Sequence, residues 1–586
     1  MTHAIGIDLG TAYSSAAFID KGEPKLIIAK GGTHSIPSVF AIDKDGNPLT
    51  GEQAAELVTQ DPSNTVSGTK RLVGRTFGSS QLEQVQQHFL YDMVEGRSSE
   101  VLLQVNKQLF TLEQISAAIL THLREMAEEV TGHPIVKAVI AVPAYYNDRQ
   151  RQAVRAAGKL AGLKVLRVLN EPTAAALTYG LNQSLQQRVA IYDLGAGTFD
   201  VTVIELRGNV FEVLATGGDS FLGGMDFDDR IVRHVLHYFL DETGVDLSFD
   251  RNALARIRQA CEVAKIQLST HDRTRLEIPR LCLDSDDNPI DLRYDLGRPE
   301  LEELTSDLVE KTISTCKQIF RDADDHGKPV DKLLVIGGQS QMPMVHRKLE
   351  AFFGNAPSTE LDAETSVAIG AALMADALDN AGIDAEQELT LLDVLPIPIG
   401  LDRGDDSMHI LFGKHEPLPC QRTRTITTSE DDQTSLLLRV YQGQSRFVTR
   451  NELLGTFVFT GIEMAPKGEK KLNVSFSVDS EGILSVKAKD DATGELVDSR
   501  IKLSRNPRDL KRQSHPLPPS SLPQEHTEEV PAPDPELPTF DADKTQETMP
   551  RLTVKTEEPK LEKIADDDKS GVMGRLFGGL FNSRPK

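Results

Sequence analysis

IGIDLGTAYSSAAFID at residues 5–20 and AIYDLGAGTFDVTVIE at residues 190–205 are two versions of one pattern, and the fold follows from reading them together. Each is an apolar strand, an Asp-Leu-Gly turn and a second strand. Glycine lets such a turn approach a phosphate with no Cβ in the way. The amides of Gly10, Thr11, Ala12 and Tyr13, and of Ala196, Gly197 and Thr198, are therefore placed to face phosphate oxygens. Asp8 and Asp193 end the strands just before the turns. They are candidates for a magnesium ion held mainly through its waters, because Mg2+ dehydrates reluctantly. Asp200 and Thr198 fall where a γ-phosphate would lie. One Asp-Leu-Gly is an ordinary turn; two with matching flanks indicate two related lobes that face each other. The GxxxxGK[ST] phosphate loop is absent, and the interval between the copies is too long for a solenoid.

Outward from these turns, residues 1–380 alternate strand-like and helix-like segments, the pattern of an α/β fold. VKAVIAVP at 136–143 reads as a buried strand, followed by a helix over 148–160. DKLLVIGGQSQMP at 331–343 reads as a strand ending in a glycine turn, where Gly337 and Gly338 would leave room for an adenine ring. A helix over 260–269 would carry Glu262, Lys265 and Ser269 on one face; alone, it reads as a solvated amphipathic helix. Residues 381–393, AGIDAEQELTLLD, read as a linker with a short apolar stretch. From 394 to 504 the character is β. Leu472, Val474, Phe476 and Val478 alternate with polar residues, Asp479 to Gly482 make a turn, and Leu484, Val486 and Ala488 resume the alternation, giving a hairpin with one buried face.

Residues 505–570 are acidic and proline-rich, with ten prolines between 505 and 550. A segment so poor in apolar surface is predicted to be disordered. The final segment, 571–586, is apolar again. Val572, Met573, Leu576, Phe577, Leu580 and Phe581 suit a short amphipathic helix, weakened by Gly574, Gly578 and Gly579. This tip is expected to meet a partner or a membrane surface.

The bulk properties set limits. A chain of 586 residues is expected to form about two to four structural units. A net charge of −24 argues against nucleic acid as a partner. Cys261, Cys282, Cys316 and Cys420 match no metal-binding spacing. No run of apolar residues is long enough to span a bilayer, and the start has no charged leader. The expected location is cytoplasmic.

Taken jointly, GIDLGTAYS, KRLVGR at 70–75, AVPAYYNDRQRQA at 141–153, VLNEPTAAAL at 168–177, IYDLGAGTFDV at 191–201, GGDSFLGGMDFD at 217–228 and IGGQSQMPMV at 336–345 resemble the 70-kDa heat-shock protein family of the bacterial DnaK type, from residue 4 to about 504. The resemblance implies an actin-like ATPase domain of two duplicated ribonuclease-H-like lobes and an all-β sandwich that binds peptides. ATP, Mg2+ and potassium would be its cofactors. It implies that Lys70 positions the attacking water and meets the γ-phosphate, that Glu171 lies near metal and water, and that Asp193 and Asp200 serve water, magnesium and potassium. It sets Thr198 beside the γ-phosphate and Glu262, Lys265 and Ser269 on adenosine. It adds Gly195, Gly223, Gly224, Gln339, Ser340 and Gln341 to the nucleotide contacts. Pro143 and Arg151 match a proline switch and its arginine relay, with Asp393 at the linker. Tyr145, Asn147, Asp148, Arg167, Asn170 and Asp393 match positions that meet J-domain co-chaperones; a nucleotide exchange factor is a further expected partner. Ile399, Leu401, Ile426, Leu436 and Leu438 match a groove for unfolded or extended client polypeptides; without the resemblance they would be sandwich core.

The sequence also departs from this pattern. Ala12 and Ala196 replace a threonine and a glycine of the phosphate turns. Gln341 stands where an arginine often stacks on adenine, opposite Ile266. Gly404 and Ser429 occupy the positions that arch over peptide, and no long amphipathic pattern for a helical lid follows residue 504. The implied activity is slow, stress-related ATP hydrolysis driving peptide capture and release. Alternatives are a nucleotide-switched regulatory scaffold with little folding activity, or a sugar or metabolite kinase on the same fold.

Overall fold

The computed structural model describes residues 3–502, apart from residues 30, 98, 182, 324–327, 381–388 and 495. The expectations for 505–570 and 571–586, and most of the linker at 381–393, lie outside these residues.

Two sheets of one plan carry the two Asp-Leu-Gly turns. In the first, β1 (His3–Asp8), β2 (Tyr13–Asp20), β3 (Glu23–Leu26), β4 (Ile135–Val142) and β5 (Lys164–Asn170) run in the order β5-β4-β1-β2-β3. β1 is antiparallel to β2 and parallel to β4. In the second, β6 (Gln186–Leu194), β7 (Phe199–Arg207) and β8 (Val210–Asp219) form an antiparallel meander, and β9 (Lys332–Ile336) lies parallel to β6. The repeated turn therefore occupies the same corner of two like sheets. Its register pairs Asp8 with Ser15 and Asp193 with Asp200.

Local chemistry sets the ends of the helices that brace these sheets. In α1 (Asp148–Leu160) the Asn147 side chain accepts the Gln150 amide at 2.9 Å, and the Gln150 side chain accepts the Asn147 amide at 3.1 Å. This capping box, with Asp148 in the first turn and Lys159 in the last, fixes both ends. Between the sheets lie α2 (Glu171–Gly180) and the small-residue helix α6 (Ser366–Asp379). A Cβ at Gly370 would sit 1.8 Å from the Ala174 carbonyl oxygen, so these two backbones are in direct contact. The outer part of the second lobe is built on α3 (Gly224–Thr243), α4 (Arg251–Gln267) and α5 (Arg298–Asp322).

The described end of the linker is a strand. β10 (Thr390–Val394) adds in parallel to β8, pairing Leu391 with Phe211, and on its other side pairs Asp393 with Leu418. Leu391 is buried in the core under β8, a burial that contributes roughly 2 kcal/mol.

Beyond it, β11 (Ile399–Asp402), β12 (Met408–Phe412), β13 (Cys420–Thr427), β14 (Ser435–Gln442), β15 (Glu452–Thr460), β16 (Lys471–Val478), β17 (Leu484–Asp490) and β18 (Leu496–Lys502) form an antiparallel array in the order β12-β11-β14-β15-β18-β17-β16-β13. The alternation at 472–488 holds: Leu472, Val474, Phe476 and Val478 face inward and pair with β17. This β unit is seated on the first two sheets. The Leu484 amide donates to Asp148 Oδ1 at 2.7 Å, the Asp148 amide donates to Gln442 Oε1 at 3.1 Å, and Lys414 Nζ donates to Asp322 at 3.0 Å.

Candidate nucleotide site

The two turns meet. A Cβ built at Gly197 would fall 2.5 Å from Thr11 Oγ1, and one at Gly223 would fall 2.6 Å from the Gly197 amide nitrogen. Three segments thus converge at one point: the first turn, the second turn and the start of α3. Neither Ala12 nor Ala196 takes a left-handed conformation, so the two substitutions in these turns carry no backbone strain. The Gly195 amide donates to the Thr198 carbonyl at 3.1 Å and closes the second turn.

Beneath the turns lies a charged base. Lys70 Nζ donates to Glu171 Oε1 at 2.6 Å, with both side chains buried. Asp8, Asp193 and Asp200 share the same field. Burial, offset in part by Lys70, pushes the Asp8 carboxyl up to about 7. Burial and the nearby Glu171 drive Asp193 and Asp200 well above the usual carboxylate range. For Lys70, burial opposes the ammonium, but Glu171 and Asp8 outweigh it and its pKa rises. One lysine among four acids is a site that demands a further cation. Among the described residues no group of three or more His, Cys, Asp or Glu is set to hold a metal directly. The donor set, Asp8 and Asp193 reaching an ion through water, fits hydrated Mg2+.

These acids have a measurable consequence. With folded values above the unfolded ones, Asp8, Asp193 and Asp200 hold more protons in the native chain than in the unfolded chain, Asp8 between about pH 4 and 7. Their contribution to stability therefore falls as pH rises through that window. In metal-free buffer, Asp8→Asn is expected to raise the melting temperature at about pH 7.5 and to flatten the decline above about pH 6. An unchanged slope would remove Asp8 as its source.

Above the turns a cleft of about 290 Å³ opens, lined by Thr11, Ala12, Tyr13, Ala196, Gly224, Glu262 and Lys265 among others. Lys265 Nζ donates to the Gly224 carbonyl at 3.0 Å and to Asp228 Oδ2 at 2.9 Å. Gln339 comes to Gly224 as well, its Oε1 lying 3.1 Å from the position of a Cβ there. Gly338 to Gln341 form a single 3-10 turn after Gly337, in which Ser340 Oγ donates to the Gly337 carbonyl at 2.5 Å; Gln341 is exposed. Ser269 is a correction to the helix reading. α4 stops at Gln267, and the Ser269 amide donates to the Ile266 carbonyl at 3.1 Å, so Ser269 lies in the turn that closes the helix, two residues past its end.

Pro143 follows β4 and is buried. Arg151 is buried too. Its guanidinium donates to the carbonyls of Tyr146 at 3.1 Å and Ala144 at 3.0 Å, and to Asn170 Oδ1 at 2.8 Å. Asn170 Nδ2 then donates to Asp393 Oδ2 at 2.7 Å. Side-chain hydrogen bonds therefore join Arg151 to the linker through Asn170. The other positions expected to meet a J-domain are likewise engaged within the chain: Asp148 by Leu484 and Gln442, Arg167 by the Ser480 carbonyl at 3.4 Å, and the Tyr145 hydroxyl by Gln444.

The groove residues are placed otherwise than an open groove requires. Ile399, Leu401, Ile426, Leu436 and Leu438 are at most 2% exposed and belong to the sandwich core. Only Ser429 is half-buried, its amide donating to Gln433 Oε1 at 2.7 Å. A peptide reaches these side chains only if the sandwich opens.

Two contributors escaped the sequence reading. Arg71, fully buried beside Lys70, donates from Nε to the Gly197 carbonyl at 2.7 Å and forks onto Asp226, so it ties the first lobe to the second turn. Tyr146 donates its hydroxyl to the Lys70 carbonyl at 2.5 Å. Both lie inside quoted motifs, KRLVGR and AVPAYYND, which was the available signal.

Among the described residues no helix is long and apolar enough to cross a membrane. The Hsp70 protein family model matches residues 4–573. That family consists of chaperone-type ATPases that use ATP with Mg2+ and bind client polypeptides and co-chaperones. With two facing Asp-Leu-Gly turns above an acidic, lysine-bearing base, and with nearly the whole length matched, the chain belongs to the Hsp70 family.

Proposed function

We propose that this chain hydrolyses ATP slowly to change how its β unit holds extended apolar segments. Residues 1–380 would serve as the nucleotide domain and 394–504 as the peptide domain. In this reading Lys70 and Glu171 orient the attacking water, Thr198 and the turn amides hold the phosphates, and Glu262 and Lys265 hold the ribose side. Mg2+, and potassium beside it, would supply the positive charge that the four acids call for. The protein's own contribution is positioning and electrostatics. A J-domain co-chaperone and an exchange factor would set the pace of the cycle, in the cytoplasm.

One observation carries this reading. The linker strand is shared: β10 pairs with β8 on one side and with Leu418 of the β unit on the other, and Asp393 at its end is bonded to Asn170, itself held by Arg151. A strand held from both sides is an element that nucleotide can dock or release.

The test is ATP turnover in the presence of an extended apolar peptide, with and without a J-domain. Stimulation by both is expected. The burial of all five groove residues favours a second reading, a nucleotide-switched regulatory protein; ATP binding with turnover indifferent to peptide would select it.

A further inference from the structure

The segment that carries Lys70 also carries a second pair of groups that point away from the nucleotide. Hydrogen bonds run without a break from Thr69 to Arg75: the Leu72 amide to the Thr69 carbonyl at 2.8 Å, Val73 to Thr69 at 3.0 Å, and Arg75 to Leu72 at 3.0 Å. Gly74 is left-handed, at φ 70°, and a Cβ there would fall 2.8 Å from the Gln150 amide nitrogen. The segment is therefore pressed onto the first turn of α1 with no side chain between. A displacement of Lys70 is passed along a short, stiff stretch to Arg75 and Thr76.

What Arg75 and Thr76 meet comes from the β unit. Glu452, the first residue of β15, is buried. Its Oε1 accepts from Thr76 Oγ1 at 3.3 Å and lies 3.7 Å from Arg149 Nη1. Arg149 Nη1 in turn donates to Thr76 Oγ1 at 2.8 Å. Arg75 is buried in the same place, with its guanidinium 4.8 Å from the Phe221 ring centre. Burial lowers its pKa, while Glu452, Tyr146 and Asp219 oppose that shift. The cluster is balanced: Arg75 and Arg149 against Glu452 and Asp219. Three of the four charges belong to the nucleotide domain, and only Glu452 arrives with the β unit. When the β unit leaves, two cations remain beside one acid, and all return to water.

We infer that Glu452 is the positioning residue that couples nucleotide state to docking: it acts through Arg75 and Thr76 on the Lys70 segment, so that the β unit stays docked only while that segment holds its nucleotide-bound place. This rests on the nucleotide-switched reading above and deepens it. Loss of one partner from a buried charge cluster is strongly destabilising, so the docking equilibrium is where the effect appears. The fold of each unit is less affected, because Glu452 is the first residue of β15 and its side chain reaches Thr76 and Arg149, which lie in the nucleotide domain.

The test uses the full chain under saturating Mg·ATP and under Mg·ADP. Its readout is amide hydrogen exchange in the strand Thr390–Val394, which is protected when paired to β8. In the unaltered chain exchange should be slower with ATP than with ADP. Glu452→Gln and Glu452→Arg are expected to speed exchange with ATP by about tenfold or more, with any weakening of ATP affinity by calorimetry no larger than the coupling lost. Glu452→Arg combined with Arg149→Glu restores two cations and two anions and should recover most of the protection. A Glu452→Gln chain that responds to ATP like the parent, or a double variant no better than Glu452→Arg alone, overturns the assignment. A parent chain whose linker exchange ignores nucleotide overturns the switched reading instead, so the two failures are told apart.

Discussion

Lys70→Ala is expected to leave ATP binding within about threefold of the parent and to slow hydrolysis on the order of 100- to 1,000-fold. The reason lies in the charge balance at the base of the cleft. Lys70 Nζ sits 2.6 Å from Glu171 Oε1, buried, with Asp8, Asp193 and Asp200 close enough to shift one another. Binding draws on many amides along the two turns, and the loss of one cation changes that sum little. The transition state is different, because charge moves onto the departing phosphate in a place from which water is largely excluded. There a fixed ammonium is worth most. Glu171 would lose the ammonium it holds at 2.6 Å, and with it the geometry proposed for orienting the attacking water. Single-turnover hydrolysis, measured beside calorimetric affinity, separates the two effects. Equal losses in affinity and rate would mean that Lys70 serves the ground state; an unchanged rate would remove it from the chemistry.

What could be read in the sequence was what local chemistry dictates. The Asp-Leu-Gly turns were legible because the same tripeptide recurs with the same flanking strands at 5–20 and 190–205. The start of α1 was legible because Asn147 and Gln150 form a capping box within four residues. The hairpin at 472–488 was legible because a half-buried strand must alternate. The end of α4 before Ser269 was not, since helical spacing continues one turn past the point where the chain tightens. Arg71 was not singled out either: next to Lys70 in a basic motif, its lobe-bridging fork depends on Asp226, far along the chain.

The docking surface was the least legible part. Asp148 meets Leu484, Arg155 meets Glu481 and Thr76 meets Glu452 across separations of more than 300 residues. Nothing in either local stretch announces the other. The same limit explains the groove. Alternation marks Leu436 and Leu438 as facing inward, but it cannot say whether the inside is closed core or a slot that opens. In the structure it is closed core.

Gly197→Ala is expected to weaken ATP binding by about 100-fold while lowering the melting temperature of the nucleotide-free chain only modestly, since overpacking at one contact costs about 1–3 kcal/mol. The added Cβ would lie 2.5 Å from Thr11 Oγ1, 2.6 Å from Thr11 Cγ2 and 2.9 Å from Thr11 Cβ. Rotating Thr11 moves the first two atoms but not the third, so no rotamer relieves the crowding. The turns must part, and the amides proposed to face one triphosphate from both sides would then stand too far from it. The core beneath is untouched, since Leu194 and Phe199, which flank the turn, remain fully buried within the second lobe. Thr11→Gly in the same chain removes all three atoms and should return part of the lost affinity, although it also gives up a side chain at the first turn. A calorimetric titration of the parent, the single variant and the double variant decides the matter. If Gly197→Ala binds ATP as the parent does, the two bends do not close on a common ligand, and the site has to be sought along one of them alone.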